Sequence, residues 1–254
     1  MRMSKTAVSL AESAIGGFVV TNSEVQSVAV VTSIHPDFDT RVWNHVRSLI
    51  NCGVETRFIC PWNSAESIDL PGLSLHIFPR VVSRVSRPVL IPVRVFRQLI
   101  PLLGSVQLVH FHDLDLLPWM AVLSFFKPVV YDIHENYAEE MLVRDWIPRP
   151  LRYFLKMLVV MWHTIFPRLI RNLVLVTPQQ ADEFDAAGLR TIVIHNYASL
   201  RLSENVRCDY STRPDRVIFT GGNYLENGSL LLLEIAQRMK AQGIGCLLYT
   251  SRCV

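Results

Sequence analysis

From Val28 onward the chain alternates short runs of β-branched residues with longer stretches whose apolar positions recur every three or four residues. That alternation predicts repeated strand-helix units on a mainly parallel sheet. "VAVVTS" (Val28 to Ser33) is apolar at every early position, as a strand covered on both faces should be. The next stretch, Thr40 to Cys52, gathers Val42, Val46, Leu49 and Ile50 on one helical stripe and stops at Gly53, a natural C-terminal cap. Further strands are expected at Val54 to Cys60, Leu73 to Pro79, Val106 to Phe111, Pro128 to Ile133, Leu173 to Thr177 and Thr191 to Asn196. Helices are expected near Val93 to Leu103, over Leu114 to Phe126, from Pro150 to about Phe166, and in "QQADEFDAAG", which Gly188 closes.

Beyond this sheet the pattern changes. Ser199 to Pro214 is polar and lacks periodicity, which marks a linker between an N-terminal domain (27–198) and the start of a second one (215–254). There "DRVIFTGG" (Asp215 to Gly222) reads as a fresh strand and Leu230 to Gly243 as a fresh helix. Residues 1–26 read as a loose leader, because their apolar cluster Phe18-Val19-Val20 is too short to anchor or to direct export. The last residues, 245–254, resemble the read-through of a sequencing adapter, and no function is placed on them.

Composition narrows the partners. Half of the 254 residues are hydrophobic and 19% are charged, enough apolar material for a substantial core. The net charge of +3, from 25 basic against 22 acidic side chains, disfavours a nucleic-acid partner. The five cysteines form no C-x-x-C pair and read as reduced thiols of a cytoplasmic protein. Leu151 to Val176 is the most apolar region, yet Arg152, Lys156, His163, Arg168 and Arg171 interrupt it within the ~20 residues a bilayer crossing requires. A buried or half-buried helix is expected, and its mixed basic and aromatic character leaves peripheral contact with a membrane surface open.

Chemistry-bearing residues collect where strands end, the side on which open parallel sheets bind ligands. His35-Pro36-Asp37-Phe38-Asp39-Thr40-Arg41 follows the first strand, His110-Phe111-His112-Asp113 the fourth, and Asp132-Ile133-His134-Glu135-Asn136-Tyr137 the fifth. Each group has a plain structural reading. Asp39 or Thr40 can cap the following helix, and Asp113 can cap the helix beginning at Leu114. Three groups at one end of one sheet favour a site. His110, His112, His134 and Glu135 could serve as metal ligands, but no H-E-x-x-H or comparable spacing supports this, and no metal is assigned. Gly221 and Gly222, between a strand and a helix, stand where backbone can approach a phosphate, although the spacing departs from G-x-G-x-x-G.

In order and spacing, "VVTSIHPDFDTRVWNHVRSLINCGVETRFIC", "LVHFHDLDLLP", "VVYDIHENYAEEM", "LVTPQQADEF", "VIHNY" and "VIFTGG" resemble the retaining GT-B glycosyltransferases of family four. The resemblance runs from about Val28 to Met239. It implies two Rossmann-like domains, the first holding an acceptor and the second a nucleoside diphosphate sugar, with no essential metal and no cofactor beyond that donor. By the same resemblance His134 is the active-site histidine that contacts the transferred sugar, and Asp39 and Arg41 stand in the loop that approaches the donor phosphates and the acceptor. Here HPDFDTR replaces the glycine-rich loop of many members. Gly221 and Gly222 match the loop facing the diphosphate, and His112, Asp113 and Glu135 complete the expected binding surface. The acceptor would be a glycan, a lipid-linked sugar or a small molecule. Only 215–254 follow the linker, whereas a donor domain of ordinary size has about 150 residues, so this chain is expected to be inactive and its full-length parent to be the enzyme. A sugar-nucleotide epimerase, a non-catalytic binding module and a metal-dependent hydrolase remain as alternatives.

Overall fold

A computed structural model describes residues 25–35, 40–61, 70–81, 83, 86–144, 147–195, 197, 211 and 228–242. The chain divides into two compact units, Met1–Asn196 and Tyr197–Val254. The expected linker 199–214 (apart from Ser211), the strand 215–222 and the tail 245–254 lie outside the described residues, as does the leader up to residue 24.

The first unit is a seven-stranded sheet. Its strands are β1 (Ser27–Val31), β2 (Glu55–Pro61), β3 (Leu73–Phe78), β4 (Leu108–Phe111), β5 (Val129–Ile133), β6 (Asn172–Leu175) and β7 (Arg190–Val193). They lie in the order β3-β2-β1-β4-β5-β6-β7, and every pairing is parallel. The expected Rossmann-like α/β sheet is therefore present. The strand order reverses between β1 and β4, and it is outside the carboxyl ends of strands at such a point that open α/β sheets hold ligands.

The connecting helices are α1 (Thr40–Asn51), α2 (Arg87–Leu99), α3 (Leu117–Leu123), α4 (Tyr137–Val143), α5 (Arg149–Ile170) and α6 (Pro178–Asp185). Register decides what each sheet face carries. Val30 lies opposite His110 and His110 opposite Val130, while Val31, Phe111 and Tyr131 form the next row. Side chains alternate across a strand, so even-numbered positions of β1, β4 and β5 share one face and odd-numbered positions the other. The odd face carries the larger core, in which Val31, Phe111, Tyr131 and Ile133 are buried with Val95, Leu99, Leu117 and Met120 of α2 and α3. On the even face, Val28, Val30, Phe58 and Cys60 pack against Val42, Trp43 and Val46 of α1. Trp43 meets Phe58 edge-on at 5.2 Å, a geometry that favours aromatic pairs. Gly53 closes α1 with φ +81°, a left-handed position that an L side chain occupies only with strain.

Several boundaries differ from expectation for identifiable reasons. α2 starts at Arg87 because Pro88 falls in the first turn, where a missing N–H is harmless, and Pro92 is carried inside the helix. The helix expected over Leu114 to Phe126 opens as a 3₁₀ turn, Leu114–Leu116, before α3. α4 has no counterpart among the expected elements; Asn136 caps it, its side chain accepting from the Glu139 amide at 3.2 Å. α5 runs on to Ile170 and is long and apolar enough to cross a membrane by length and composition, yet Val159 and Ile170 are buried and Trp162 and Phe166 pack against the core. Its outward side shows Tyr153, Phe154 and Met157 to solvent.

In the second unit the described element is α7 (Ser229–Ala241), entered through Gly228 at φ +79°. Leu232 is buried, whereas Leu230, Leu231 and Leu233 are exposed.

Candidate functional site

The even face changes character toward the carboxyl ends of β4 and β5. Past Leu108 and Val130 the inward positions become His110, His112, Asp132 and His134, and α1 adds His45 beside its apolar stripe. Four imidazoles thus surround one fully buried carboxylate. Asp132 Oδ2 lies 3.0 Å from His45 Nδ1, 3.1 Å from His110 Nε2 and 3.4 Å from His112 Nδ1. Asp132 Oδ1 lies 3.3 Å from His134 Nε2, which is also 3.0 Å from His112 Nδ1. The rings of His110 and His112 stack at 4.8 Å and those of His112 and His134 at 5.2 Å.

A carboxylate stripped of water stays ionised only if donors replace the water. Burial pushes Asp132 upward, but hydrogen bonds from His110 and His45, with the charges around them, outweigh it and hold the group well below the usual carboxylate range. The imidazoles respond oppositely. Burial pushes His112 well below its ordinary value against the pull of Asp132, and it lowers His134 in the same way. Both histidines are consequently neutral near pH 7, with one acceptor and one donor nitrogen each. His134 Nδ1 and His112 Nε2 are buried and find no hydrogen-bond partner among the described residues.

A second buried carboxylate sits one strand end away. Asp113 occupies the position before the 3₁₀ turn but makes no side-chain cap there, contrary to the capping role its place in the sequence allows. It reaches back to the end of β1, accepting from the Ser33 amide at 2.6 Å and the Thr32 hydroxyl at 2.8 Å, with His35 Nε2 3.2 Å from its other oxygen. Burial would raise Asp113; the His35 contact, the amide and the hydroxyl overcome that and set its pKa at about 2. Asp113 therefore fixes the start of the loop that leads to α1.

The expected binding residues separate into these two groups and a third. Arg41 and Glu135 pair at 3.6 Å nearer the surface, a contact of small energetic weight at such exposure. Glu140 is raised to about 7, first by burial and then by its hydrogen bond to Glu135, and it accepts from Arg144 at 2.6 Å. Asp39, Gly221 and Gly222 lie outside the described residues. Of the residues considered as metal ligands, His110 and His112 come together with His45 and Asp132, one ligand atom from each lying within 4.8 Å of the others. Glu135 turns to Arg41 instead. His45 was not among the sequence candidates; the available signal was an imidazole one position off the α1 stripe, which a satisfied core histidine would give equally. A shallow cleft of about 260 Å³ lies beside this region, reached by Glu135, Asn136, His163, Arg168 and Glu183.

No family model matches the chain, and no curated protein matches it. Solved structures do. Sucrose-phosphate synthase from Thermosynechococcus elongatus is similar with a TM-score of 0.57 at 11% identity, over 89% of this chain and 71% of that one. The glycotransferase of kitacinnamycin is similar with a TM-score of 0.52 at 12% identity, over 91% and 67%. At these identities the likeness is one of fold, and the chain resembles glycosyltransferases of the GT-B kind in its seven-stranded parallel sheet flanked by helices.

Proposed function

We propose that the full-length parent of this chain is a glycosyltransferase that moves a sugar from a nucleoside diphosphate sugar to an acceptor hydroxyl with retention of configuration, in the making of a polysaccharide or glycoconjugate. One observation carries the reading. His134, half-buried with a side chain only 5% exposed and Nδ1 unpartnered among the described residues, stands just past β5, beside the point where the strand order of a GT-B-like sheet reverses.

The chemistry follows from the local groups. His134 Nε2 hydrogen-bonds to His112 Nδ1 at 3.0 Å, and donation from Nε2 in that contact leaves Nδ1 as an acceptor for a hydroxyl of the transferred sugar. Arg41, permanently cationic, supplies charge toward the departing diphosphate. The anomeric carbon to phosphate oxygen bond breaks, the phosphate takes the electron pair, and the sugar passes through an oxocarbenium-like state. The acceptor oxygen bonds to the anomeric carbon on the same face, and its proton goes to the departing phosphate oxygen. Asp39, Gly221 and Gly222 lie outside the described residues and keep in this reading the phosphate- and acceptor-binding roles that the resemblance implies. His112 and Asp113 act behind them, the first against His134 and the second on the loop after β1.

The acceptor is a glycan, a lipid-linked sugar or a small molecule. A place in the cytoplasm, peripheral to a membrane, fits a helix that exposes Tyr153, Phe154 and Met157 and whose charged residues are Arg149, Arg152, Lys156 and Arg168.

The test is donor turnover by the full-length protein over a panel of nucleotide sugars, with and without candidate acceptors. Consumption that depends on an acceptor is expected. Free epimer formed without acceptor would assign the site to an epimerase, and donor binding without turnover under any pairing would make it a binding module.

A further inference from the structure

The geometry points to a divalent metal site of the zinc class, formed by His45 Nδ1, His110 Nε2, His112 Nδ1 and Asp132 Oδ2 behind the sugar-binding surface. The inference rests on these four side chains and stands whether or not the protein transfers sugars.

Three ring nitrogens converge on a single carboxylate oxygen, at 3.0, 3.1 and 3.4 Å. As a hydrogen-bonding arrangement this is crowded, since a carboxylate oxygen offers about two lone-pair directions. As a coordination shell it is ordinary. Zinc bonds of about 2.0–2.1 Å to nitrogen and oxygen place tetrahedral ligand atoms about 3.3 Å apart, close to the three separations present. One ligand atom from each of the four residues lies within 4.8 Å of the others, a spread that side-chain rotation can contract to a tetrahedral shell. Three imidazoles and one carboxylate form a donor set suited to zinc and its first-row neighbours, whereas an oxygen-rich shell would be needed for magnesium or calcium.

The surroundings fit as well. Asp132 and His112 are fully buried, so their positions are fixed by β4 and β5. His45 and His110 keep 21% and 13% side-chain exposure, which leaves an entry path from the α1 side. His134 stays outside the shell, its Nε2 3.3 Å from the non-ligating oxygen of Asp132. A metal on Oδ2 and on His112 Nδ1 removes the competing contact between His112 and His134. It leaves Asp132 Oδ1 as the acceptor for the His134 Nε2 proton, the outer-shell arrangement that orients an imidazole. The ion would thus act as a structural anchor that sets the His134 tautomer and takes no part in bond breaking.

The experiment starts from full-length protein dialysed against a chelator and then against metal-free buffer. Titration with ZnCl2 should show about one tight equivalent per chain and a thermal unfolding midpoint that rises with zinc concentration. Cobalt in its place should give the intense visible bands of a tetrahedral site. X-ray absorption of the zinc form should report three imidazole nitrogens and one oxygen, a readout that needs no variant. His45→Gln, on the exposed side of the shell, should weaken binding at least ~10–100-fold, and His110→Gln should do the same. Failure to bind zinc together with an indifferent midpoint would overturn the site. Binding with a different ligand count, or binding unchanged in a folded His45→Gln protein, would overturn it equally.

Discussion

His134→Ala in the full-length protein should lower kcat/KM for sugar transfer by about 10²–10³-fold while the protein remains folded, because it deletes an imidazole at the strand ends whose buried Nδ1 finds no partner among the described residues. In free energy that is about 3–4 kcal/mol of transition-state stabilisation. The loss should fall mainly on kcat, since a hydroxyl held at His134 Nδ1 orients the sugar as charge develops at the anomeric carbon. Steady-state kinetics with circular dichroism as the folding check measures it. The His134→Gln protein keeps a group able to donate to Asp132 and guards against a trivial packing defect. A folded His134→Ala protein with unchanged kcat would remove His134 from the chemistry.

Asp113→Asn should cost about 3 kcal/mol of folding stability at neutral pH, a large effect for an isosteric change. The carboxylate is buried, accepts from Ser33 and Thr32 and faces His35. An amide in its place loses the charge and turns an N–H toward a backbone donor or toward His35. The pH dependence has a definite sign. The folded pKa of about 2 lies below the unfolded value, so this contribution is complete above pH ~4 and is lost as pH falls through about 2. Urea titrations of both proteins at pH 7 and near pH 3 should show the gap shrinking in acid. An equal gap at both values, or one under about 0.5 kcal/mol, would mean that Asp113 is spectator rather than support.

Both effects come from residues whose place in the sequence was legible and whose partners were not. The strands could be read because β-branched runs buried on two faces have few other uses, and Gly53 and Gly188 end their elements at positive φ as C-terminal glycines do. The pairing of His110 with His112 on one face could also be read, since strand side chains alternate. What it could not supply was register. Only the parallel alignment of Val30, His110 and Val130 brings the even positions of β4 and β5 level, and only the packing of Val42, Trp43 and Val46 on that face lowers His45 onto Asp132. Asp113 shows the same limit, because a residue before a turn looks like a local cap, and its bonds run instead to a strand some eighty residues earlier. α4 could have been found. Asn136 with Glu139 three residues on is a helix-start pattern, masked here by the length of a single short element.

The resemblance points to His134 as the histidine that contacts the transferred sugar, and the structure sets it beside His45, His110 and His112 around the buried Asp132. If His134 acts as proposed, changes at His112 or His45 should register in its behaviour.

The most direct measurement is a crystal structure of the full-length protein with a nucleoside diphosphate sugar bound. The expected result places a hydroxyl of the sugar within ~2.6–3.2 Å of His134 Nδ1, with the diphosphate on the Arg41 side of the strand ends. A donor seated instead in the cleft near His163 and Glu183, with no contact to His134, would contradict the assignment.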